Sequence, residues 1–371
     1  MLFRSLLLST GGKIGGEETF TRNLALGLIE RGHYVEMAVG GPVQREDAEK
    51  AGIRITEIDI TGRSPKRIVC AARQLAHYAT KNRFDIIHAQ AVGPAIMGII
   101  AKKFFGCRIP WIWHNHGITD FAYRFIVRHL NSLDRIIANS DYVREMLTGN
   151  GVKRDRIERI HNGIHIADYT VTEQERLDAR EAVRKEFSLS ADCRIITYVG
   201  RLSPEKGVEV LVDAFRTLCI STENVACLLV GDGVQREELQ ARINSYPCKE
   251  KIIFAGFRRD IKHLLAGSDV FVLPSHIETF SLSILQAFAA GTPCVASDVG
   301  GTPEQILPRL NGLLFQDNDS TELASRLNEI LNDEEFRCYL THNAIALSHS
   351  YLNDNRMIGD IENLYGRLIS K

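Results

Sequence analysis

Nothing in this 371-residue chain approaches the run of about 20 apolar residues that a membrane-spanning helix needs. The opening MLFRSLLLSTGGK has only a short apolar stretch, broken by Arg4, with no basic leader and no cleavage site. It reads as a first buried strand instead of a signal peptide. The eight cysteines, at 70, 107, 193, 219, 227, 248, 294 and 338, include no CxxC pair, which argues against zinc. Most sit in apolar runs such as ACLLV and TPCVAS, as buried free thiols of a reducing compartment do, and the expected location is the cytoplasm. Low-complexity tracts are missing as well, and 44% hydrophobic with 25% charged residues is the balance of a globular chain. Only length is in excess: 371 residues are too many for one ordinary core and predict two domains.

The net charge of −1 hides an uneven distribution. Residues 1–168 hold 24 Lys and Arg against 17 Asp and Glu, and the remainder holds 21 against 29. Within 60–110, Arg63, Lys66, Arg67, Arg73, Lys81, Arg83, Lys102, Lys103 and Arg108 stand against Asp85 alone. Singly, each is best read as part of a solvated helix face. Together they predict an anionic partner, either a membrane surface or a phosphorylated acceptor. No recognised nucleic-acid motif accompanies them, so no nucleic-acid partner is expected.

Strand and helix patterns alternate throughout. RSLLLST, YVEMAVG, IRITEID, DIIHAQ, IPWIWHN and RIIA read as strands of the first half, and RIITYVG, ACLLVGD, KIIFAG, VFVLPS and PCVAS as strands of the second. TFTRNLALGLIERGH is amphipathic with Phe20, Leu24 and Leu28 inward and Ile29 at the margin of that face. Further helices fall at about 65–82, 94–105, 173–187 and 283–290, with Ser140 capping another. This βα alternation predicts parallel, doubly wound sheets, with a first boundary near Asp168. The amphipathic helix of about 354–370 could close either domain.

Open α/β sheets bind ligands at the C-terminal ends of their strands, where helix N-termini favour anions. Gly11–Gly12 and Gly15–Gly16 follow the first strand there, although the spacing is not GxGxxG and no ribose-binding acid follows, which disfavours a dinucleotide dehydrogenase. A plain tight turn explains a lone Gly-Gly equally well. GRLSPEKG (200–207) sets Arg201 and Lys206 after a strand and ahead of a helix, a clamp suited to a diphosphate. Glu278 lies in SHIETFS after VFVLPS, either as a helix cap or as a ligand contact beside those cations. His114 and His116 in WHNHG share a face if the strand continues. No third ligand accompanies them, so a metal is not expected. One histidine hydrogen-bonding a hydroxyl-rich substrate is the better functional reading, with a packed strand-end role equally open to His114.

GGEETFTRNLALGLIERGHYV, HNGI at 161–164, GRLSPEKGVEVLVDAF, LLVGDGVQREEL and the stretch from Phe254 to Ile306 together resemble the retaining glycosyltransferases of family GT4. The resemblance covers nearly the whole chain and rests on the order and spacing of these segments. It implies the α/β GT-B architecture: two Rossmann-like doubly wound parallel-sheet domains facing across a cleft. An acceptor-binding domain over 1–168, joined by a returning C-terminal helix at about 352–371, would face a nucleotide-sugar domain over 169–351. Carried over by position, Arg201 and Lys206 resemble the pair holding the donor diphosphate, which is electrostatic catalysis without a metal or other cofactor. Glu278 resembles the first acid of the E-x7-E motif, contacting sugar hydroxyls, and His116 the first-domain histidine that reaches the transferred sugar. The backbone of Phe280, Ser281 and Leu282 would hold sugar and phosphate. Gly16 matches the glycine-rich loop, and Gly256 and Phe257 the lining of the base pocket.

Three departures stand out. Gln286 replaces the second motif acid, which in the family binds ribose, and Ser281 replaces a glycine. His165 ends what is usually NGID. The resemblance thus implies a retaining, metal-independent transferase moving sugar from a nucleotide diphosphate-sugar to a lipid-linked, lipopolysaccharide or polysaccharide acceptor. Such a protein would work at the inner face of the cell membrane, in peripheral contact with anionic lipid. The alternatives are a non-catalytic subunit of the same fold that binds a partner enzyme or glycan, and a sugar-nucleotide epimerase.

Overall fold

The computed structural model describes residues 2–10, 16–62, 64–117 and 126–370. The chain divides into two compact units, Met1–Ile164 with Asp354–Lys371, and His165–Asn353. The transitions fall at 164/165 and 353/354, against the expected 168/169 and 351/352.

In the first unit, β1 (Arg4–Ser9), β2 (Tyr34–Val39), β3 (Arg54–Ile55), β4 (Ile86–Ala89), β5 (Trp111–Asn115), β6 (Arg135–Ala138) and β7 (Ile157–Arg159) form one sheet. Its order is β3-β2-β1-β4-β5-β6-β7, with every pairing parallel. Both faces are covered, so successive side chains enter two different cores. Leu6, Leu8, Trp111, Trp113, Ile136 and Ala138 pack towards helices Pro65–Lys81 and Val92–Phe104. The intervening Leu7, Ile112 and Ile137 meet Phe20, Leu24 and Leu28 of helix Gly16–Glu30. Ile29 stays exposed.

On that second face lies the terminal helix Asp354–Ile369, burying Met357, Ile358, Ile361, Leu364 and Tyr365. Their spacing makes one stripe along a 3.6-residue period. The HNGI segment docks this helix: Arg356 Nη2 donates to the His161 carbonyl at 2.8 Å, and the Asp354 N–H donates to Ile164 O at 2.9 Å.

The second unit repeats the plan with β8 (Arg194–Val199), β9 (Val225–Val230), β10 (Ile252–Gly256), β11 (Val270–Leu273), β12 (Cys294–Ser297) and β13 (Gly312–Phe315). The order is β10-β9-β8-β11-β12-β13, again all parallel. The buried Asp269 carboxylate, just before β11, ties the sheet's lower end together. It accepts from Arg180, from Arg184 at 3.2 Å and from the Ile195 N–H at 2.8 Å.

Several expectations need correction. The predicted strand 53–59 contracts to two paired residues, because β3 is an edge with one neighbour. Ile53 is still buried, and Ile55 and Ile58 are half-buried against the two cores, so the pattern reports the core and not the ladder. β7 and β13 were not anticipated, being edge strands of three and four residues. After Gly300–Gly301 comes a single 3-10 turn, Thr302–Glu304. Cys219 and Cys248 are not free thiols but are joined as a disulfide, since packing brings their Cα atoms to 6.6 Å across 29 residues. The basic segment is also less naked than its composition suggests: Arg67 pairs with Asp59 and Lys102 with Asp134. Lys66, Arg73, Lys81, Arg83 and Arg108 are exposed and have no ion pair among the described residues, outside which Arg63 lies. No helix among the described residues is long and apolar enough to cross a membrane.

Candidate functional site

In the second sheet, strand order reverses direction between β8 and β11, and the loops leaving those two strands diverge to opposite sides there. Such a switch point opens a crevice at the strand ends. The loop after β8 carries Arg201 and Lys206, and the loop after β11 carries Glu278, so one crevice receives all three. Lys206 Nζ lies 2.8 Å from Glu278 Oε2, with both side chains largely buried. Arg201 behaves differently: its side chain is 75% exposed and pairs with Glu205 at 3.3 Å within its own loop.

Gly207 explains how the loops come so close. It adopts φ +58°, and a Cβ there would sit 2.1 Å from the Pro274 carbonyl oxygen. Only glycine allows both the left-handed backbone and that approach. The His276 N–H then donates to Glu205 O at 3.0 Å, stitching one loop to the other. Tyr198 Oη donates to Arg201 O at 2.6 Å and holds the first loop from below.

Downstream, Ser281 caps helix Leu282–Ala289 through its side chain. Sequence reasoning offered the backbone of Phe280, Ser281 and Leu282 to a ligand, but the Ser281 N–H is already engaged. Gln305 Oε1 accepts it at 2.7 Å, while Gln305 Nε2 donates to Ser281 O at 2.8 Å. Phe280 is buried, and Leu282 opens the helix half-buried. One turn on, Gln286 Nε2 donates to the Tyr169 hydroxyl at 2.9 Å. Gly256 ends β10 after a register shift, with φ +68°, and Phe257 beside it is 61% exposed. Two strand spacings separate β10 from β8, about 10 Å at the usual spacing. That reach suits a nucleotide lying along the edge.

The first unit presents a contrasting edge. Its own reversal lies between β1 and β4. Gly16 is the exposed first residue of its helix, and the preceding Gly11, Gly12 and Gly15 lie outside the described residues. Period-2 alternation sets His88 and His114 on the face of Phe20 and Tyr365. His114 and His116 stack at 4.3 Å between ring centroids, and His88 Nδ1 lies 2.6 Å from Tyr365 Oη. His116 Nε2 approaches Gln90 Oε1 at 2.8 Å, so the imidazole donates there. Burial keeps His88 and His116 neutral, with pKa values pushed down to about 3, and His114 well below the ordinary histidine value. His114 is fully buried and packs as a strand-end histidine.

Three residues that sequence reasoning missed belong beside these. Glu17, whose carboxylate accepts from Ser9 Oγ at 2.9 Å, is raised to about 7 by burial. Tyr169 and Gln305 act only through contacts of long sequence separation, and no local pattern marks them.

Residues 14–168 match the family described as Glycosyltransferase Family 4, and residues 179–346 match Glycosyl transferases group 1. N-acetyl-alpha-D-glucosaminyl L-malate synthase of Bacillus anthracis is 27% identical over 365 residues, 95% of this chain and 94% of that protein. UDP-Gal:alpha-D-GlcNAc-diphosphoundecaprenol alpha-1,3-galactosyltransferase of Escherichia coli is 25% identical over 269 residues, 68% of each chain. Among solved structures, Anabaena Alr3699/HepE in complex with UDP superposes with a TM-score of 0.85 at 23% identity, covering 99% of this chain and 100% of that one.

Proposed function

The chain belongs to the group 1, family 4 glycosyltransferases of GT-B fold, and from that premise we propose a retaining, metal-independent transfer. The sugar moves from a nucleoside diphosphate-sugar, held by the second unit, to an anionic or lipid-linked acceptor taken up by the first. The observation that carries this reading is the Lys206–Glu278 pair in the switch-point crevice. A cation and an acid that neutralise each other take separate tasks once a donor binds between them. Lys206, joined by the mobile-length side chain of Arg201, takes the diphosphate, and the freed Glu278 accepts hydrogen bonds from sugar hydroxyls.

In the reaction the bond from the anomeric carbon to the diphosphate oxygen breaks, and the acceptor oxygen bonds to the same face of the sugar. The acceptor proton passes to the departing diphosphate. Negative charge grows on that diphosphate as the bond breaks, and Lys206 and Arg201 stabilise it where it develops. Because Gln305 holds the Ser281 N–H, the N–H groups of Leu282 and Ser283 in the first helical turn are the ones left to a phosphate. Gly256 and Phe257 line the base site, and the neutral His116 imidazole is suited to an uncharged sugar hydroxyl.

The relatives' names span an L-malate conjugate and a diphosphoundecaprenol-linked acceptor, both anionic. The exposed cations Lys66, Arg73, Lys81, Arg83 and Arg108 favour that class, with an anionic membrane surface as one source.

Thermal unfolding with UDP, GDP, ADP and CDP at equal concentration tests the donor site. UDP comes first because the Anabaena neighbour was solved with it. A ligand at 100 times its Kd adds about 2.7 kcal/mol to the unit that binds it. One nucleotide standing clear of the rest, and losing its shift in Lys206→Ala, is the expected result. If no nucleotide moves the transition, the reading is wrong.

A further inference from the structure

The loop that presents Glu278 is tied down at several points, and most of the ties are between uncharged groups. Ser297 Oγ donates to Ser275 O, the Gly301 N–H donates to Glu278 O at 3.0 Å, and Gln305 grips Ser281. Besides the Lys206–Glu278 pair, His276 makes the exception. Its Nε2 lies 3.0 Å from Glu209 Oε1, and its Nδ1 lies 2.7 Å from Asp317 Oδ1. Carboxylates only accept, so both ring nitrogens must carry hydrogen for both contacts to hold, which makes the ring an imidazolium.

We propose that His276 is a positioning residue for the donor sugar: bridging Glu209 and Asp317 as a cation, it fixes the loop that carries Glu278. Glu209 belongs to the first turn of helix Val208–Ser221, which follows the Lys206 loop, and Asp317 follows β13. One charged ring therefore joins three segments around the crevice. The other ionised groups packed around it are committed elsewhere. Glu205 accepts from Ser203 and pairs with Arg201, giving His276 only its backbone carbonyl, and Lys206 pairs with Glu278. Glu209 and Asp317 are thus the two carboxylates that hold the ring.

Partial burial favours the neutral ring, but the Glu209 and Asp317 hydrogen bonds outweigh it and hold the His276 pKa above its ordinary value. The sign follows. The anchoring is fully present below the ordinary histidine pKa and is lost as pH rises through the raised one. Alkaline pH should release the Glu278 loop while leaving the uncharged ties in place.

Two arms test this. The first compares backbone hydrogen exchange of Ile277–Thr279 in the intact protein and in His276→Gln, each pair at one pH so that intrinsic rates cancel. Exchange about tenfold faster in the variant at pH 6, converging with the wild type as pH rises through the raised His276 pKa, is expected from loss of a charge-assisted bridge. Equal exchange in both proteins at pH 6 overturns the proposal. The Asp317→Asn variant should move the wild-type transition to lower pH, because one supporting charge is gone. An unmoved transition also overturns it.

The second arm rests on the glycosyltransferase reading above. With UDP-glucose as probe, the KM of the wild type should rise with pH while that of His276→Gln stays high and flat, and kcat should change less. A purely structural histidine would lower Tm and leave parallel pH profiles, which counts against the proposal. If exchange responds but UDP-glucose is neither bound nor turned over, the donor assignment fails and the loop anchor stands.

Discussion

The two units carry the same doubly wound sheet and the same reversal of strand order, yet their ligand edges are built from opposite materials. The edge of the second unit is ionic: Lys206 with Glu278, Arg201 with Glu205, and His276 between Glu209 and Asp317. Around the first unit's edge lie neutral imidazoles packed on one another and on Phe20, with Gln90 beside them and a carboxyl, Glu17, raised towards neutrality. Topology placed both edges, and chemistry divided them. A diphosphate needs cations whose own charge is balanced while the site is empty. A hydroxyl needs donors and acceptors that stay uncharged, because an ion there would compete for the charged part of the substrate. The histidines show the division most sharply, since burial pushes His88, His114 and His116 down while paired carboxylates push His276 up.

The comparison breaks most visibly at Lys206. If Lys206 stabilises the departing diphosphate as proposed, replacing it with alanine should lower kcat/KM by about 10²–10³-fold, or 2.7–4 kcal/mol. Steady-state kinetics reads this, and the pH response of the first unit should not change.

Acid is the next test, and in the first unit it acts through the buried histidines and Glu17. Both tryptophans, Trp111 and Trp113, lie in β5, so their fluorescence during urea unfolding reports that unit. A histidine held to about 3 when folded loses stability as pH falls below the ordinary 6.5, about 2 kcal/mol by pH 5 for each of His88 and His116. Glu17, held to about 7, works in the opposite direction by about 2 kcal/mol over the same range, because the folded form takes up the proton first. With His114 adding to the losses at His88 and His116, the wild type should lose at least about 2 kcal/mol between pH 7 and 5, and Glu17→Gln about 2 kcal/mol more than the wild type. Equal losses in the two proteins would show that Glu17 is not buried as described.

Gly207→Ala forces a left-handed alanine against the Pro274 carbonyl. It should destabilise the second unit by about 1–3 kcal/mol while weakening donor binding, because the two loops of the crevice must part. Calorimetry together with donor titration separates the two effects.

The smallest effect is expected at Gln286. A glutamate there can accept from the Tyr169 hydroxyl where the amide now donates to it, and it restores a charge-assisted acceptor for ribose. Nucleoside diphosphate affinity should rise by about 1 kcal/mol, roughly fivefold, in a direct titration. Unchanged affinity would remove Gln286 from the ribose site.

How much of this was legible beforehand depends on the range of the interaction. The strands of both cores were readable because burial on two faces demands apolar runs, and residues such as Leu6–Leu8 and Val270–Leu273 supply them without reference to anything distant. Lys206 and Glu278 were readable as candidates because each follows such a strand, and strand ends are where parallel sheets bind ligands. β7 and β13 were not readable, since an edge strand of three or four residues draws its stability from a neighbour far along the chain.

The same holds at finer scale. Local pattern determined which side chains are inward, where strands end, and which charged residues reach the ligand edge, because the alternation of burial is a property of consecutive residues. Tertiary structure alone decided that Gln305 occupies the Ser281 N–H, that Cys219 meets Cys248, and that His276 stands between two acids. Each of these joins groups separated by tens of residues, and a hydrogen bond or ion pair depends on a separation of about 3 Å that sequence distance does not encode.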